Sequence, residues 1–263
     1  MKQKYKISDL IISCDFNNSV YWDKFKINST TIEDIKIDNI DKVQLRYELS
    51  YFNIPSNYSK CFQYFSEMML VDNGWKNILL FPLKNELSRE TLILQVFYAN
   101  AVKRHMIQMH SSLVEYKGEG IMFLGPSGIG KTTQAELWNK YLDALIINGD
   151  IVYVEDKDNE FIGWGTPWHG SSPYCENTNV PIKALIILKQ SNENKIRKLE
   201  GLEMLSEVEK QLFYPEWVDG GIELALDTLD HLLRNVPVYE LTNKADKESV
   251  ELVKQVIFID EKN

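Results

Sequence analysis

The stretch GIMFLGPSGIGKTTQAELW, residues 120–138, decides how this chain folds. An apolar run ends in a glycine-rich turn, the turn closes with Gly-Lys-Thr-Thr, and an amphipathic segment follows. Gly125, Gly130, Lys131 and Thr132 satisfy the pattern G-x-x-x-x-G-K-[ST] between a predicted strand and a predicted helix, which is the context that this motif requires. The stretch therefore predicts a phosphate-binding P-loop.

Each part of the predicted P-loop has its own task. Glycines allow backbone N–H groups to turn inward around the β- and γ-phosphates of a nucleotide. Lys131 reaches the same phosphates, and the hydroxyl of Thr132 can ligate Mg²⁺. We therefore expect a nucleotide to contact the whole loop, which consists of Gly125, Pro126, Ser127, Gly128, Ile129, Gly130, Lys131, Thr132 and Thr133.

A carboxylate follows the P-loop helix at a short distance. The apolar residues 144–147 predict a strand, and Asn148-Gly149-Asp150 come directly after it. Asp150 is then at the carboxyl end of a strand beside the phosphates, where a metal ligand or a general base belongs. Gly-Asp turns also occur where nothing binds, but the position directly after a P-loop helix favours the functional interpretation. We predict that Thr132 and Asp150 hold Mg²⁺.

Further candidate residues flank these two motifs. A hairpin ahead of the P-loop would bring His110 beside the strand that delivers Gly125, where it could contact the γ-phosphate or a proton in transfer. A single histidine is more often structural, so spacing alone leaves this role open. The segment GWGTPWHGSS, residues 163–172, has the composition of loops that shape substrate pockets. His169, Ser171 and Ser172 are its candidate substrate contacts, and a purely structural hairpin loop is the alternative.

Taken together, these motifs resemble the HPr kinase/phosphorylase superfamily, which shares its nucleotide core with ATP-dependent phosphoenolpyruvate carboxykinases. In that group a histidine lies on a strand ahead of the P-loop, as His110 does, and one or two aspartates end the next strand, as Asp150 does. The resemblance is clear over residues 109–150 and extends through GTPWHGSS to Ile187, but it does not cover the first 85 or so residues. Gly149 stands where bifunctional members have the first Asp of an Asp-Asp pair, so the resemblance assigns neither the base nor a phosphorylase reaction.

The likeness is greatest to stand-alone HPr-kinase-like proteins of peptide-modification gene cassettes. It implies a Mg²⁺-dependent kinase that transfers the γ-phosphoryl of ATP or GTP to a hydroxyl, a serine of a peptide or small protein, with Asp150, His110 and Lys131 as catalytic residues. Two alternatives stay open: a kinase for a free small molecule, and a non-catalytic nucleotide-binding accessory protein of a peptide-modification pathway. Members of the group form oligomers, so the resemblance also implies a homo-oligomer.

Composition narrows the classes of protein to be considered. The 263 residues are 44% hydrophobic and 25% charged, as in ordinary globular proteins. A net charge of -9 argues against a nucleic-acid partner and does not favour an anionic membrane surface. Three scattered cysteines without a CxxC pair predict neither a disulfide framework nor a zinc site. The chain starts with nothing like a signal peptide and has no membrane-length apolar segment, so we expect a cytoplasmic protein.

Hydrophobic periodicity divides the chain into two parts. Residues 1–85 alternate apolar and polar side chains and predict a β-rich unit, in which Trp22 and Trp75 pack in the core. Residues 86–263 carry the P-loop, with a first helix that starts near Ser88 and continues to Lys103. We thus predict an α/β fold: a mixed-sheet P-loop core of the HPr kinase/phosphoenolpyruvate carboxykinase type, with a smaller β-rich N-terminal unit.

Overall fold

The structure is a computed structural model that describes residues 2–15, 19–40, 42–44, 50–65, 67–81, 85–158 and 160–258. The chain divides into two compact units, Met1–Asn100 and Ala101–Asn263. The boundary predicted between residues 85 and 86 lies one helix before this division. The helix over residues 86–101 belongs almost entirely to the first unit. Within the described residues, no helix is long and apolar enough to span a membrane.

The first unit is built on a mixed sheet; the alternating pattern predicts strands there but not their relative directions. Its strands are β1 (Gln3–Ile7), β2 (Leu10–Cys14), β3 (Lys26–Ile27), β4 (Ile35–Asn39), β7 (Tyr58–Tyr64), β8 (Glu67–Asp72) and β9 (Asn77–Leu80), in the order β3-β1-β2-β4-β9-β8-β7. A separate antiparallel pair joins β5 (Lys42–Gln44) and β6 (Ser50–Phe52). The alternating pattern of residues 1–85 also includes residues 41 and 45–49, which lie outside the described residues.

Aromatic side chains form much of the core of this unit. Trp22 and Trp75 are buried, as predicted, and Trp22 packs edge-to-face on Tyr5 at 5.2 Å between ring centroids. Helix α1 (Glu86–Ala101) begins two residues before the predicted start at Ser88. It also ends before the predicted end at Lys103. A 3-10 turn over Val102–Arg104, followed by His105 in a left-handed conformation, leads the chain into the next strand.

The second unit has a mixed sheet with helices. Its strands are β10 (Met106–Tyr116), β11 (Glu119–Leu124), β12 (Leu145–Asn148), β13 (Ile151–Lys157), β14 (Glu160–Trp164), β15 (Asn179–Gln190), β16 (Lys195–Leu199) and β17 (Val238–Asn243). Its helices are α2 (Lys131–Leu142), α3 (Gly201–Glu209), α4 (Gly221–Asn235) and α5 (Lys247–Phe258). The P-loop strand β11 runs parallel to β15, and β15 runs parallel to β17, whereas the remaining pairings are antiparallel. The predicted α/β class with mixed sheets is confirmed.

The long strand β10 changes partners along its length. Its first half, up to His110, pairs with β13, whereas its second half pairs with β11 and β12. The corner between β12 and β13, formed by Gly149 and Asp150, therefore lies beside His110. Beneath the P-loop, α2 and α5 pack on the sheet, and Trp138 contributes the largest fully buried side chain of this cluster.

Candidate active site

The turn between β11 and α2 has the backbone geometry that its glycines predict. Gly125, Gly128 and Gly130 have φ angles of 144°, 79° and 114°, a region that side chains with a Cβ rarely adopt. A Cβ on Gly125 would also lie 3.0 Å from Cγ2 of Ile129, whose N–H donates to the carbonyl of Pro126. The glycines thus allow the turn to close tightly at the amino end of α2, where backbone N–H groups and the helix dipole favour an anion.

Lys131 is held against this turn. Its side chain is 6% exposed, and its Nζ donates to the carbonyls of Gly125 at 2.9 Å and Pro126 at 3.3 Å. Burial lowers the pKa of Lys131, and the nearby negative charge of Asp150 opposes that shift only in part. An ammonium group in such a place gains more from an anionic ligand than one in open solvent does.

Three of the predicted site residues meet at the corner between β12 and β13. Nε2 of His110 lies 3.0 Å from Oδ1 of Asp150, and the N–H of Ser111 donates to the carbonyl of Asp150 at 3.0 Å. The hydroxyl of Thr132 donates to the carbonyl of Gly149 at 3.4 Å. Because β10 changes its pairing partner after His110, the imidazole of His110, the carboxylate of Asp150 and the hydroxyl of Thr132 lie close together.

Asn148 organises this corner, although the sequence argument assigned it no role. Its Oδ1 accepts the N–H groups of Asp150 at 2.8 Å and Ile151 at 3.0 Å, so its side chain shapes the turn. Its Nδ2 donates to the carbonyls of Thr166 at 3.0 Å and Trp168 at 3.1 Å, and the residue is fully buried. An Asn that ends a buried strand directly before Gly-Asp was the available signal for such a turn.

The loop after β14 packs directly on this corner. A Cβ on Gly149 would lie 1.9 Å from Oγ of Ser172, and a Cβ on Gly170 would lie 2.4 Å from Oδ2 of Asp150. Ser172 is buried, and its hydroxyl donates to the carbonyl of His169 at 3.0 Å. The space in which a side chain at position 149 would lie is therefore occupied by Ser172, which is a physical reason for glycine there.

These residues surround one cleft of about 240 Å³. It is lined by His110, Ser127, Gly128, Gly130, Lys131, Thr132, Thr133, Gly149, Asp150, His169, Ser171 and Ser172. We call it the phosphate cleft. The structure thus brings most of the sequence-predicted site residues together, whereas Gly125, Pro126 and Ile129 line neighbouring clefts instead. Asp150 is the single carboxylate among the described residues that line it.

The donor set suits Mg²⁺ better than a transition metal. The described ranges contain no group of three or more His, Cys, Asp or Glu side chains arranged to hold a metal ion. Mg²⁺ is commonly bound by one or two protein oxygens together with substrate phosphates and water. The hydroxyl of Thr132 and the carboxylate of Asp150 are hard oxygen donors on the same cleft, so they fit this type of site.

Comparison with known proteins gives the family. The model of the family described as "SynChlorMet cassette protein ScmC" matches residues 83–257, more than half of the chain. The chain belongs to this family. It is also 28% identical over 123 residues to the HPr kinase/phosphorylase of Mycoplasmopsis pulmonis (strain UAB CTIP), a match that covers 46% of this chain and 36% of that protein. The resemblance found in the sequence motifs is thereby confirmed.

A solved structure was also matched. The HPr(Ser) kinase/phosphatase from Coxiella burnetii aligns with a TM-score of 0.35 and 11% identity, over 59% of this chain and 98% of that chain. The match to the Mycoplasmopsis protein spans little more than a third of that relative's length. The homology is thus to a kinase/phosphorylase over part of its length.

Proposed function

We propose that this protein is a Mg²⁺-dependent kinase that transfers the γ-phosphoryl group of ATP or GTP to a hydroxyl group, a serine of a peptide or small protein. The observation that carries the proposal is the phosphate cleft, in which the P-loop, Lys131, Thr132 and the His110–Asp150 pair all face one space. The partial homology to an HPr kinase/phosphorylase supports the same reaction class.

The residues of the cleft have complementary roles in this reaction. Backbone N–H groups of the P-loop and the ammonium of Lys131 bind the β- and γ-phosphates, and Thr132 and Asp150 hold the metal. Mg²⁺ would neutralise charge on the phosphate oxygens. The acceptor oxygen forms a bond to the γ-phosphorus while the bond from that phosphorus to the β–γ bridging oxygen breaks. The hydroxyl proton passes to the His110–Asp150 pair, and the nucleoside diphosphate leaves with the bridging oxygen.

A neighbouring cleft supports a route for the acceptor. This cleft of about 350 Å³ is lined by His110, Gly125, Pro126, Ile187, Lys189, Glu207, Lys210 and Gln211, so His110 borders both spaces. In phosphoryl transfer the attacking and leaving oxygens are roughly in line, on opposite sides of the phosphorus. An acceptor that enters past Lys189 and Lys210 would reach the γ-phosphate beside His110. The likeness to kinases of peptide-modification cassettes favours a peptide as this acceptor.

The test uses purified full-length protein with Mg²⁺, labelled ATP and GTP, and a panel of serine-containing peptides and free hydroxy compounds. We expect label on a peptide with the wild-type protein, and a loss of at least about 10²-fold in rate with Lys131→Ala and with Asp150→Asn. Asp143→Asn is the matched control, because Asp143 is an exposed carboxylate at the end of α2 that does not line the phosphate cleft.

The three functional alternatives give different results in this assay. Label on a free hydroxy compound but on no peptide would replace the peptide acceptor by a small molecule. Tight nucleotide binding without transfer to any acceptor, and without dependence on Asp150, would favour a non-catalytic accessory protein. Transfer that survives in both Lys131→Ala and Asp150→Asn would contradict the proposed site.

A further inference from the structure

A second cleft borders the P-loop on the side of β15 and β17. It has a volume of about 540 Å³ and is lined by Gly128, Ile129, Gly130, Thr133, Gln134, Leu188, Gln190, Ser191, Asn192, Asn243, Lys244 and Ala245. Gly128, Gly130 and Thr133 line both this cleft and the phosphate cleft. A molecule whose phosphates lie on the P-loop could therefore extend into this second space.

The position of the second cleft in the sheet is that of a ligand site. The strands β11, β15 and β17 are parallel neighbours, so their carboxyl ends lie at one edge of the sheet. The P-loop follows β11, Gln190 ends β15 and Asn243 ends β17. In sheets with parallel strands, ligands bind outside the carboxyl ends of the strands.

A buried polar network forms one side of the cleft. Gln134 is 1% exposed, and its Nε2 donates to Oδ1 of Asn243 at 2.8 Å and to Oγ of Ser249 at 3.1 Å. Oδ1 of Asn243 also accepts the N–H of Ala245 at 2.8 Å, while Nδ2 of Asn243 lies within 3.4 Å of two backbone carbonyls. These contacts fix which end of each amide is the nitrogen. Nε2 of Gln134 and Nδ2 of Asn243 face acceptors, and Oδ1 of Asn243 faces N–H donors.

This orientation leaves one acceptor unused. Oε1 of Gln134 is buried and has no hydrogen-bond partner among the described residues. A buried polar atom without a partner is destabilising, and native structures contain few of them. Because Gln134 lines the cleft, a ligand bound there is one source of the missing donor, directly or through a bound water. The ribose hydroxyls and the N–H groups of a nucleobase are donors of this kind.

The rest of the lining also suits a nucleoside. Leu188 is buried and Ile129 is half-buried, so they offer an apolar surface against which a flat base can pack. Gln190 and Asn192 are exposed amides, which both donate and accept hydrogen bonds. The lining thus combines a small apolar surface with several polar groups that can fix the orientation of a ligand.

We propose that this second cleft binds the base and ribose of the nucleoside triphosphate whose phosphates lie on the P-loop, and we call it the nucleoside cleft. The inference rests on the proposed function, since it takes the P-loop as the phosphate site. Because the exposed amides of Gln190 and Asn192 carry both donors and acceptors, the cleft accommodates the hydrogen-bonding edge of adenine or of guanine.

The experiment separates the two sites by comparing ligands with and without a nucleoside. Affinities of the full-length protein for inorganic tripolyphosphate, ATP and GTP are measured by calorimetry with Mg²⁺. Ser191→Trp places a large side chain at the nucleoside cleft, and Ser206→Trp on α3 is the matched control, because Ser206 is exposed and lines neither cleft. The double variant Gln190→Ala/Asn192→Ala removes two amides without adding volume.

We expect wild type and Ser206→Trp to bind ATP, GTP or both at least about tenfold more tightly than tripolyphosphate, a factor that a few additional contacts provide. Ser191→Trp should lose this preference while its tripolyphosphate affinity stays unchanged, and the double variant should lose part of it. Equal affinities for tripolyphosphate and both nucleotides in the wild type would overturn the nucleoside cleft alone. A preference for nucleotide over tripolyphosphate that survives in both Ser191→Trp and the double variant would also overturn the nucleoside cleft. A wild-type protein that binds none of the three ligands would overturn the phosphate site itself, and with it the proposed function.

Discussion

The phosphate cleft has two walls that are built in different ways. The loop wall, residues 125–133, is one continuous segment in which glycine φ angles and backbone amides set the geometry. The corner wall, residues 148–150 and 166–172, joins two separate segments through hydrogen bonds from Asn148 to Thr166 and the packing of Ser172 against Gly149. The loop wall can therefore be recognised as a motif, whereas the corner wall exists only when distant residues meet. We expect binding to depend mainly on the loop wall, and stability and proton transfer to depend mainly on the corner wall.

The largest effect is expected for Lys131→Met in the loop wall. We expect a loss of about 10²–10³-fold in the transfer rate, because the ammonium stabilises charge on the transferring phosphate. The ligand-free protein should not become less stable. Since burial lowers the pKa of Lys131, the charged form opposes folding below its folded-state pKa, and this cost disappears as the pH rises through the folded-state pKa toward the unfolded value.

Label transfer and urea unfolding at neutral and alkaline pH measure both parts of this prediction. Lys140→Met, an exposed residue on the same helix, is the control and should leave both quantities unchanged. A Lys131→Met protein that is much less stable than wild type would mean that the lysine is a structural residue.

The next effect concerns His110, which pairs with the corner wall. His110→Asn should lower kcat by about 10²-fold, as expected for the loss of a general acid–base group, with a small change in KM for the nucleotide. The matched control is His231→Asn, since His231 pairs with Asp156 and does not line the phosphate cleft. An unchanged kcat for His110→Asn would assign the proton uptake to Asp150 alone.

Asn148→Ala tests how the corner wall is held together. The substitution removes two acceptor bonds and two donor bonds of a fully buried side chain, so we expect a loss of about 2–4 kcal/mol in the free energy of unfolding. Asn139→Ala is the control: its Nδ2 donates to the carbonyl of Ala144, and its loss should cost about 1 kcal/mol. Urea denaturation measures both, and equal losses would show that the corner does not depend on Asn148.

The smallest effect is expected at the contact between the two segments of the corner wall. Gly149→Ala places a Cβ against Ser172, and such overpacking costs about 1–3 kcal/mol. Ser172→Gly removes the obstructing side chain, so the double variant should recover part of the stability that Gly149→Ala loses. Thermal unfolding of the two single variants and the double variant gives the coupling. Additive losses would show that Gly149 is required for another reason.

Several elements of the second unit followed from local patterns. The P-loop, the hairpin of β10 and β11 and the helix α2 each have a period or a turn signal contained within their own residues. Strand β16 was not predicted, because its charged side chains hide the alternation that marks a strand. The early end of α1 was missed for a similar reason: its hydrophobic spacing continues past Ala101 into a turn whose left-handed His105 only the fold requires.

The sequence by itself determined the P-loop motif, with its glycines, Lys131 and Thr132 in one continuous segment, and it made Asp150 and His110 candidates through their positions around that motif and the family resemblance. A contiguous motif carries its own backbone geometry, so no other part of the chain is needed to identify it. Only the tertiary structure decided that the amide of Asn148 donates to Thr166 and Trp168, that Ser172 occupies the space beside Gly149, and that Gln134 meets Asn243 beside a second cleft. These contacts join residues that are far apart in the chain, and close packing of buried polar groups fixes them.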